Sequence, residues 1–204
     1  MSQRQHFELV FDIKSEWHLG AGREGGAYAD SLVYKDANGL PLLTGKSIKG
    51  LVRQAFCEAL KYNWLGKLEG DQDQASIINF LFGSEGGELD KQGLLQFSSA
   101  TLSPAEQAYF IENKQAIQHL YRVRHATAIE QSTGVAKEGS LRTMEVVVPM
   151  KLISPLTFIA TAKQSKHYQD WLKKVLPLIC ALGGKRRRGL GEVLVTLAQQ
   201  KERL

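Results

Sequence analysis

Gly183-Gly184-Lys185-Arg186-Arg187-Arg188-Gly189-Leu190-Gly191-Glu192-Val193 holds four consecutive cations between glycines, and the alternating apolar residues Val193, Val195 and Leu197 follow directly. Glycine frees the backbone to lie close to a ligand, and the alternation is the period of a half-buried strand. The stretch predicts a phosphate-gripping loop that feeds a strand on the core. A solvated face or a disordered tail is the other reading of any charge run. The glycine framing and the apolar neighbours argue against a tail.

Working outward, Phe7, Leu9, Phe11 and Ile13 alternate with His6, Glu8 and Asp12, broken only by Val10, and predict a first strand. Gly20-Ala21-Gly22-Arg23-Glu24-Gly25-Gly26 is too rich in glycine for regular structure and suits a mobile or ligand-ordered loop. Ala29 to Lys35 predicts a short strand. From Lys46, the residues Ile48, Leu51, Val52, Ala55, Phe56, Ala59 and Leu60 recur at helical spacing, with Thr44 or Ser47 as N-cap. A second short helix around Ile77, Ile78 and Leu81 ends at Gly83, before the loop Gly83-Ser84-Glu85-Gly86-Gly87.

Leu95 and Phe97 suggest a strand, and Ser103-Pro104-Ala105-Glu106 combines an N-cap, a first-turn proline and a capping-box acid for a helix to about His119. Between Tyr121 and Met150, two polar arms flank Thr133-Gly134 and Lys137-Glu138-Gly139 and predict a long hairpin with little to bury. Ile153, Leu156, Phe158 and Ile159 supply a further strand. Trp171, Leu172, Val175, Leu176, Ile179 and Cys180 make the final amphipathic helix.

This order is that of an α+β sandwich of the ferredoxin-like kind, elaborated by insertions. An RNA-recognition motif shares the layout but needs aromatic residues on its central strands, and Leu190 to Leu197 has none, so base stacking on the sheet is not expected. The 204 residues are 43% hydrophobic, ample for a core, and the net charge of +5 is modest, so nucleic-acid affinity must come from local clustering. Cys57 and Cys180 sit in apolar helical patterns and read as reduced core thiols of a cytoplasmic protein. No apolar run approaches membrane-spanning length, and no signal region precedes the first strand.

Thr44-Gly45-Lys46-Ser47-Ile48-Lys49-Gly50-Leu51-Val52-Arg53 invites comparison with a nucleotide-binding P-loop, but Leu40 stands where the first glycine is required. What remains is a helix N-terminus with a hydroxyl, two lysines and Arg53 a turn further on, which is either a phosphate site or an ordinary capped helix. Asp30 reads as a turn residue or as a catalytic carboxylate. His18, beside the glycine-rich loop, is a structural residue, a phosphate donor or a general base.

Taken together, the glycine-rich segment, Asp30, the Ser47-Ile48-Lys49-Gly50 helix start, Leu81-Phe82-Gly83, the polar hairpin and Gly183 to Val193 resemble the backbone subunit of type III CRISPR effector complexes, in the RAMP superfamily. The departures are Thr44-Gly45-Lys46-Ser47, where that family favours Pro-Gly-Ser-Ser, and the extra cations Lys185 to Arg187. The resemblance implies a single RAMP domain over 1–204, with a modified ferredoxin-like (RRM-like) core and a thumb hairpin inserted at about 121–150. It further implies a cytoplasmic subunit that polymerises along guide CRISPR RNA with copies of itself or related RAMP subunits, joins other type III effector subunits, and has no membrane partner.

By the same resemblance the thumb wedges into the guide–target duplex at intervals. Asp30, as catalytic residue and metal ligand, promotes cleavage of target RNA with Mg²⁺ or Mn²⁺ that binds with RNA present. RNA contacts are expected from His18, Lys46, Ser47, Lys49, Arg53, Arg124, His125, Thr133, Gly183, Gly184, Lys185, Arg186, Arg187 and Arg188. Two other functions remain open on the sequence: a non-catalytic RNA-binding scaffold of the same kind of complex, and a metal-independent RAMP endoribonuclease that processes guide RNA with His18 as acid or base.

Overall fold

The computed structural model describes residues 3–22, 25–26, 28–65, 73–84 and 92–199. Arg23, Glu24 and Ala27 near the first glycine-rich loop, and Glu85-Gly86-Gly87 of the second, lie outside the described residues.

Strand β1 (Gln3–Ile13) runs antiparallel to β5 (Met150–Ala160) along its whole length, from Gln3↔Ala160 to Ile13↔Met150. On its other side β1 pairs with β6 (Val193–Gln199), and β5 carries the short β2 (Leu95–Phe97) at the far edge, giving the order β2-β5-β1-β6. Helices α1 (Gly45–Lys61) and α2 (Gln74–Phe82) lie between β1 and β2, and α4 (Ala162–Val175) lies between β5 and β6. With the hairpin set aside this is the β-α-β-β-α-β order of the ferredoxin-like fold, all four strands antiparallel.

One sheet face is apolar because the period-2 residues agree across the ladder. Phe7, Leu9, Phe11 and Ile13 stand beside Leu152, Leu156 and Phe158, and all are buried. Onto this face α1 lays Ile48, Val52, Ala55, Phe56 and Ala59, and Phe56 meets Phe82 of α2 edge to face at 5.5 Å. Thr44 is the α1 N-cap, accepting from the Ser47 amide.

Between β2 and β5 the chain forms α3 (Pro104–Glu112) and a hairpin of β3 (Tyr121–Ala126) and β4 (Arg142–Val147), paired from Tyr121↔Val147 to Ala126↔Arg142. The Ser103–Glu106 capping box starts α3, but the helix stops at Glu112 rather than near His119. The Asn113 side chain donates to the Tyr109 carbonyl, competing with the helical pattern, and Lys114–Leu120 continues as a 3-10 turn.

The last helix likewise ends at Val175, before Pro177, which cannot donate the next helical bond, so Ile179 and Cys180 lie beyond it. Cys180 and Cys57 are both exposed, not core thiols, because each falls off the buried stripe of its neighbours. The predicted strand at Ala29 to Lys35 is replaced by single bridges, Gly20↔Val33, Ser31↔Met144 and Lys35↔Pro41. Nor are the hairpin arms uniformly polar in placement: Glu145, Val146 and Val147 are buried where β4 re-enters the body. No helix among the described residues is long and apolar enough to cross a membrane.

Candidate nucleic-acid interface

The segment after β1 is stitched to two partners at once. On one side Lys14 N–H donates to the Glu192 carbonyl (2.8 Å), Gly191 N–H to Glu16 (2.8 Å) and Gly184 N–H to His18 (2.7 Å), which anchors the basic loop. On the other side Trp17 and Val147 exchange both backbone bonds, at 3.0 and 2.8 Å, which anchors the hairpin base. Loop and hairpin therefore flank one short stretch of chain.

His18 closes this arrangement. It is buried, its Nδ1 is 2.7 Å from the Glu145 carbonyl oxygen and its Nε2 is 3.2 Å from Ser31 Oγ. Gly183, at φ +75, lies so close to the His18 carbonyl that any Cβ would intrude on it. Of the expected RNA contacts, His18 is thus occupied on both ring nitrogens inside the protein, and the amide of Gly184 is spent on the His18 carbonyl. These residues shape the surface from beneath.

Asp30 sits next to Ser31 on the outer edge of β4. Its N–H donates to the Thr143 carbonyl (3.1 Å) and hydroxyl (3.0 Å), and its Oδ2 accepts from Thr143 N–H (2.7 Å). The residue is exposed, and Oδ1 has no hydrogen bond among the described residues. His125 faces Thr143 across the hairpin ladder, so Asp30 and His125 flank the same rung. Thr133 and the apolar residues Ile129 and Val135 are exposed towards the hairpin tip.

The basic loop makes a 3-10 turn over Arg186–Arg188, entered through Lys185 at φ +56 and left through Gly189 at φ +75. Lys185 to Arg188 are all exposed, and none forms an ion pair among the described residues. Arg124 differs: its Nε lies 2.5 Å from Glu16 Oε2, while Arg122 takes Oε1 of the same carboxylate at 3.2 Å.

Lys46 and Lys49 are exposed and Arg53 is half-buried on α1, while the Ser47 hydroxyl is 2.8 Å from that of Thr44. At 3.6 residues per turn, Lys46, Lys49 and Arg53 share one flank of α1, and Leu51, Gln54 and Glu58 share the other. The second flank walls an open groove of about 340 Å³ whose opposite wall is Leu178 to Ala181 with Arg186 and Arg187. The structure brings the basic loop together with Asp30 and the hairpin, but it sets the α1 cations on the side of the helix away from that loop.

Sequence reasoning missed the polar group beneath Asp30. The Glu145 carboxylate, on β4, is 1% exposed; it accepts from Val33 N–H (3.0 Å) and pairs with Lys35 Nζ (2.8 Å), which lies 3.8 Å from the Tyr121 ring centroid. The Tyr28 phenol is pushed above the usual tyrosine value by burial and then by the Glu145 charge. Burial raises Tyr121 too, with Glu145 and Asp36 adding to it. The available signal was a lone acid within Arg142 to Val148.

A family model described as the RAMP superfamily matches residues 10–193, from within β1 to the start of β6. This chain belongs to the RAMP superfamily. Solved structures agree with the fold of this RAMP protein. A chain of the type III-B Cmr-beta complex bound to cognate target RNA superposes with a TM-score of 0.68 at 11% identity, covering 94% of this chain and 96% of that one. A chain of the apo Cmr-beta complex gives 0.67 at 13% identity, covering 96% and 98%. No curated protein matches the sequence.

Proposed function

We propose that this RAMP protein is a guide-RNA-binding backbone subunit of a type III CRISPR effector complex in the cytoplasm, and that Asp30 promotes metal-dependent cleavage of the target RNA. The observation that carries the reading is an exposed carboxylate tied by Thr143 to the hairpin, with one oxygen left over, in a fold shared with chains of a type III-B complex. The basic loop next to it supplies phosphate contacts. Base pairing with the guide supplies sequence recognition.

Asp30 fits a Mg²⁺ or Mn²⁺ ion as a single anchor. Among the described residues no three His, Cys, Asp or Glu side chains come together, and magnesium characteristically takes one or two carboxylates with substrate phosphates completing its shell. When bound, such an ion supplies charge stabilisation at the scissile phosphate. The chain itself holds Asp30 Oδ2 through Thr143 N–H, so that Oδ1 would be the oxygen available to such an ion or to the 2′-hydroxyl, and the hairpin offers Ile129 and Val135 to part the stacked duplex.

Processing of guide RNA by His18 is disfavoured by the burial of that residue and the engagement of both its nitrogens. The scaffold reading uses the same RNA surface without Asp30. Replacing Asp30→Asn in the reconstituted complex separates the two: cleavage falls at least about a hundredfold, with guide and target affinity unchanged, if the carboxylate is catalytic. Unaltered periodic cutting leaves the scaffold.

A further inference from the structure

The Asp30 loop carries little apolar anchorage of its own beyond Ala29 and Val33, yet its far end is held by a buried acid that belongs to a different element. Glu145 lies on β4, two residues beyond Thr143, and reaches the loop in three ways. Its carboxylate accepts from Val33 N–H and pairs with Lys35, and its own N–H donates to the Ser31 carbonyl at 2.9 Å. Its carbonyl oxygen meets His18 Nδ1, and His18 Nε2 meets Ser31 Oγ. Ser31, Val33 and Lys35, the alternate residues that follow Asp30, are therefore tied to one side chain and its peptide.

We infer that Glu145 is the positioning residue of this site: it fixes the Asp30 loop to the return arm of the hairpin, so that the hairpin and the carboxylate move as one unit. The physical reason is that a buried carboxylate is tolerated only when its oxygens are satisfied, and here the partners that satisfy them, Val33 N–H and Lys35 Nζ, both lie on the Asp30 loop. Removing the acid leaves Lys35 and the Val33 amide without their acceptor at a half-open edge. Water then enters and the loop detaches locally. The sheet core, built from β1, β5 and α1, shares none of these bonds and keeps its own packing.

The catalytic consequence rests on the reading of Asp30 given above, but the anchoring does not. Hydrogen exchange on the full-length chain tests the anchoring alone. In Glu145→Ala, amides in 28–35 exchange at least about tenfold faster while those of α1 and β1 stay at wild-type rates. Glu145→Gln, which keeps an acceptor for Val33 N–H but loses the charge, lies between. Wild-type exchange at 28–35 overturns the inference, and so does an equal rise through α1 and β1, which makes Glu145 a support of the whole fold. If Glu145→Ala does not fold, Lys35→Met decides, with the same local rise expected and a wild-type pattern contradicting it.

In the reconstituted complex, Glu145→Gln lowers the cleavage rate at saturating target by about tenfold and leaves the target dissociation constant within about twofold. Loss of target binding in step with cleavage contradicts a positioning role. Should Asp30→Asn cut normally, the catalytic reading fails, and the exchange measurement still judges the anchor by itself.

Discussion

Between α1 and the sheet, Phe56, Phe82, Val52, Leu9 and Phe11 form an interface of buried apolar side chains; between the hairpin and the Asp30 loop the contacts include hydrogen bonds made by the side chains of Glu145, His18 and Thr143. The first interface spreads its stabilisation over many contacts and tolerates the loss of few atoms at a time. The second concentrates it in a handful of directional bonds, each of which positions something on the face that carries Asp30 and the hairpin. The core thus specifies the fold, and the polar seam specifies the geometry of the site.

The largest effect on this contrast comes from Phe56→Ala. It empties a site that is fully buried between α1 and α2 and should cost about 3–5 kcal/mol by denaturant unfolding, whereas Ile129→Ala at the exposed hairpin tip stays within about 0.5 kcal/mol. Comparable costs at the two positions would erase the distinction between core and hairpin. Next comes Gly183→Ala, which forces a Cβ against the His18 carbonyl at φ +75 and should cost about 2 kcal/mol. RNA affinity should fall with it, because the loop loses its seat, and a variant of wild-type stability would show that the close approach does not exist.

The smallest effect is also the most discriminating. Lys185 occupies the left-handed region at φ +56, so Lys185→Gly relieves backbone strain and should raise stability by about 0.5 kcal/mol. The same change removes one cation, and the log–log salt slope of single-stranded RNA binding should drop by about 0.7. A stability gain with no change in slope would place Lys185 outside the RNA contacts.

The apolar interface was legible because periodicity announces it: Phe7 to Ile13, Ile48 to Leu60 and Val193 to Leu197 alternate or recur as the structure uses them. The capping box at Ser103 was equally legible, yet the end of its helix was not, since Asn113 interrupts through a side-chain bond that no periodicity shows. The polar seam was hidden for a deeper reason. Glu145 meets Val33 and Lys35 across more than a hundred residues of sequence, and a buried acid looks like a solvated one until its partners are placed. In the sequence His18 and the Gly183-Gly184 pair read as ligand contacts, and the fold uses them to join the loop to the segment after β1. The α1 lysines stand out equally in sequence, but only the helix phase shows that they face away from the basic loop.

The central claim is that the basic loop, the Asp30 loop and the hairpin form one RNA-facing surface. Hydrogen exchange of the full chain with and without guide RNA tests it most directly. The account predicts joint protection in 183–192, 28–35 and both hairpin arms, with the amides of α3 and α4 unchanged. Protection confined to α3 or α4, or protection of the basic loop with no response at the Asp30 loop and hairpin, would contradict it.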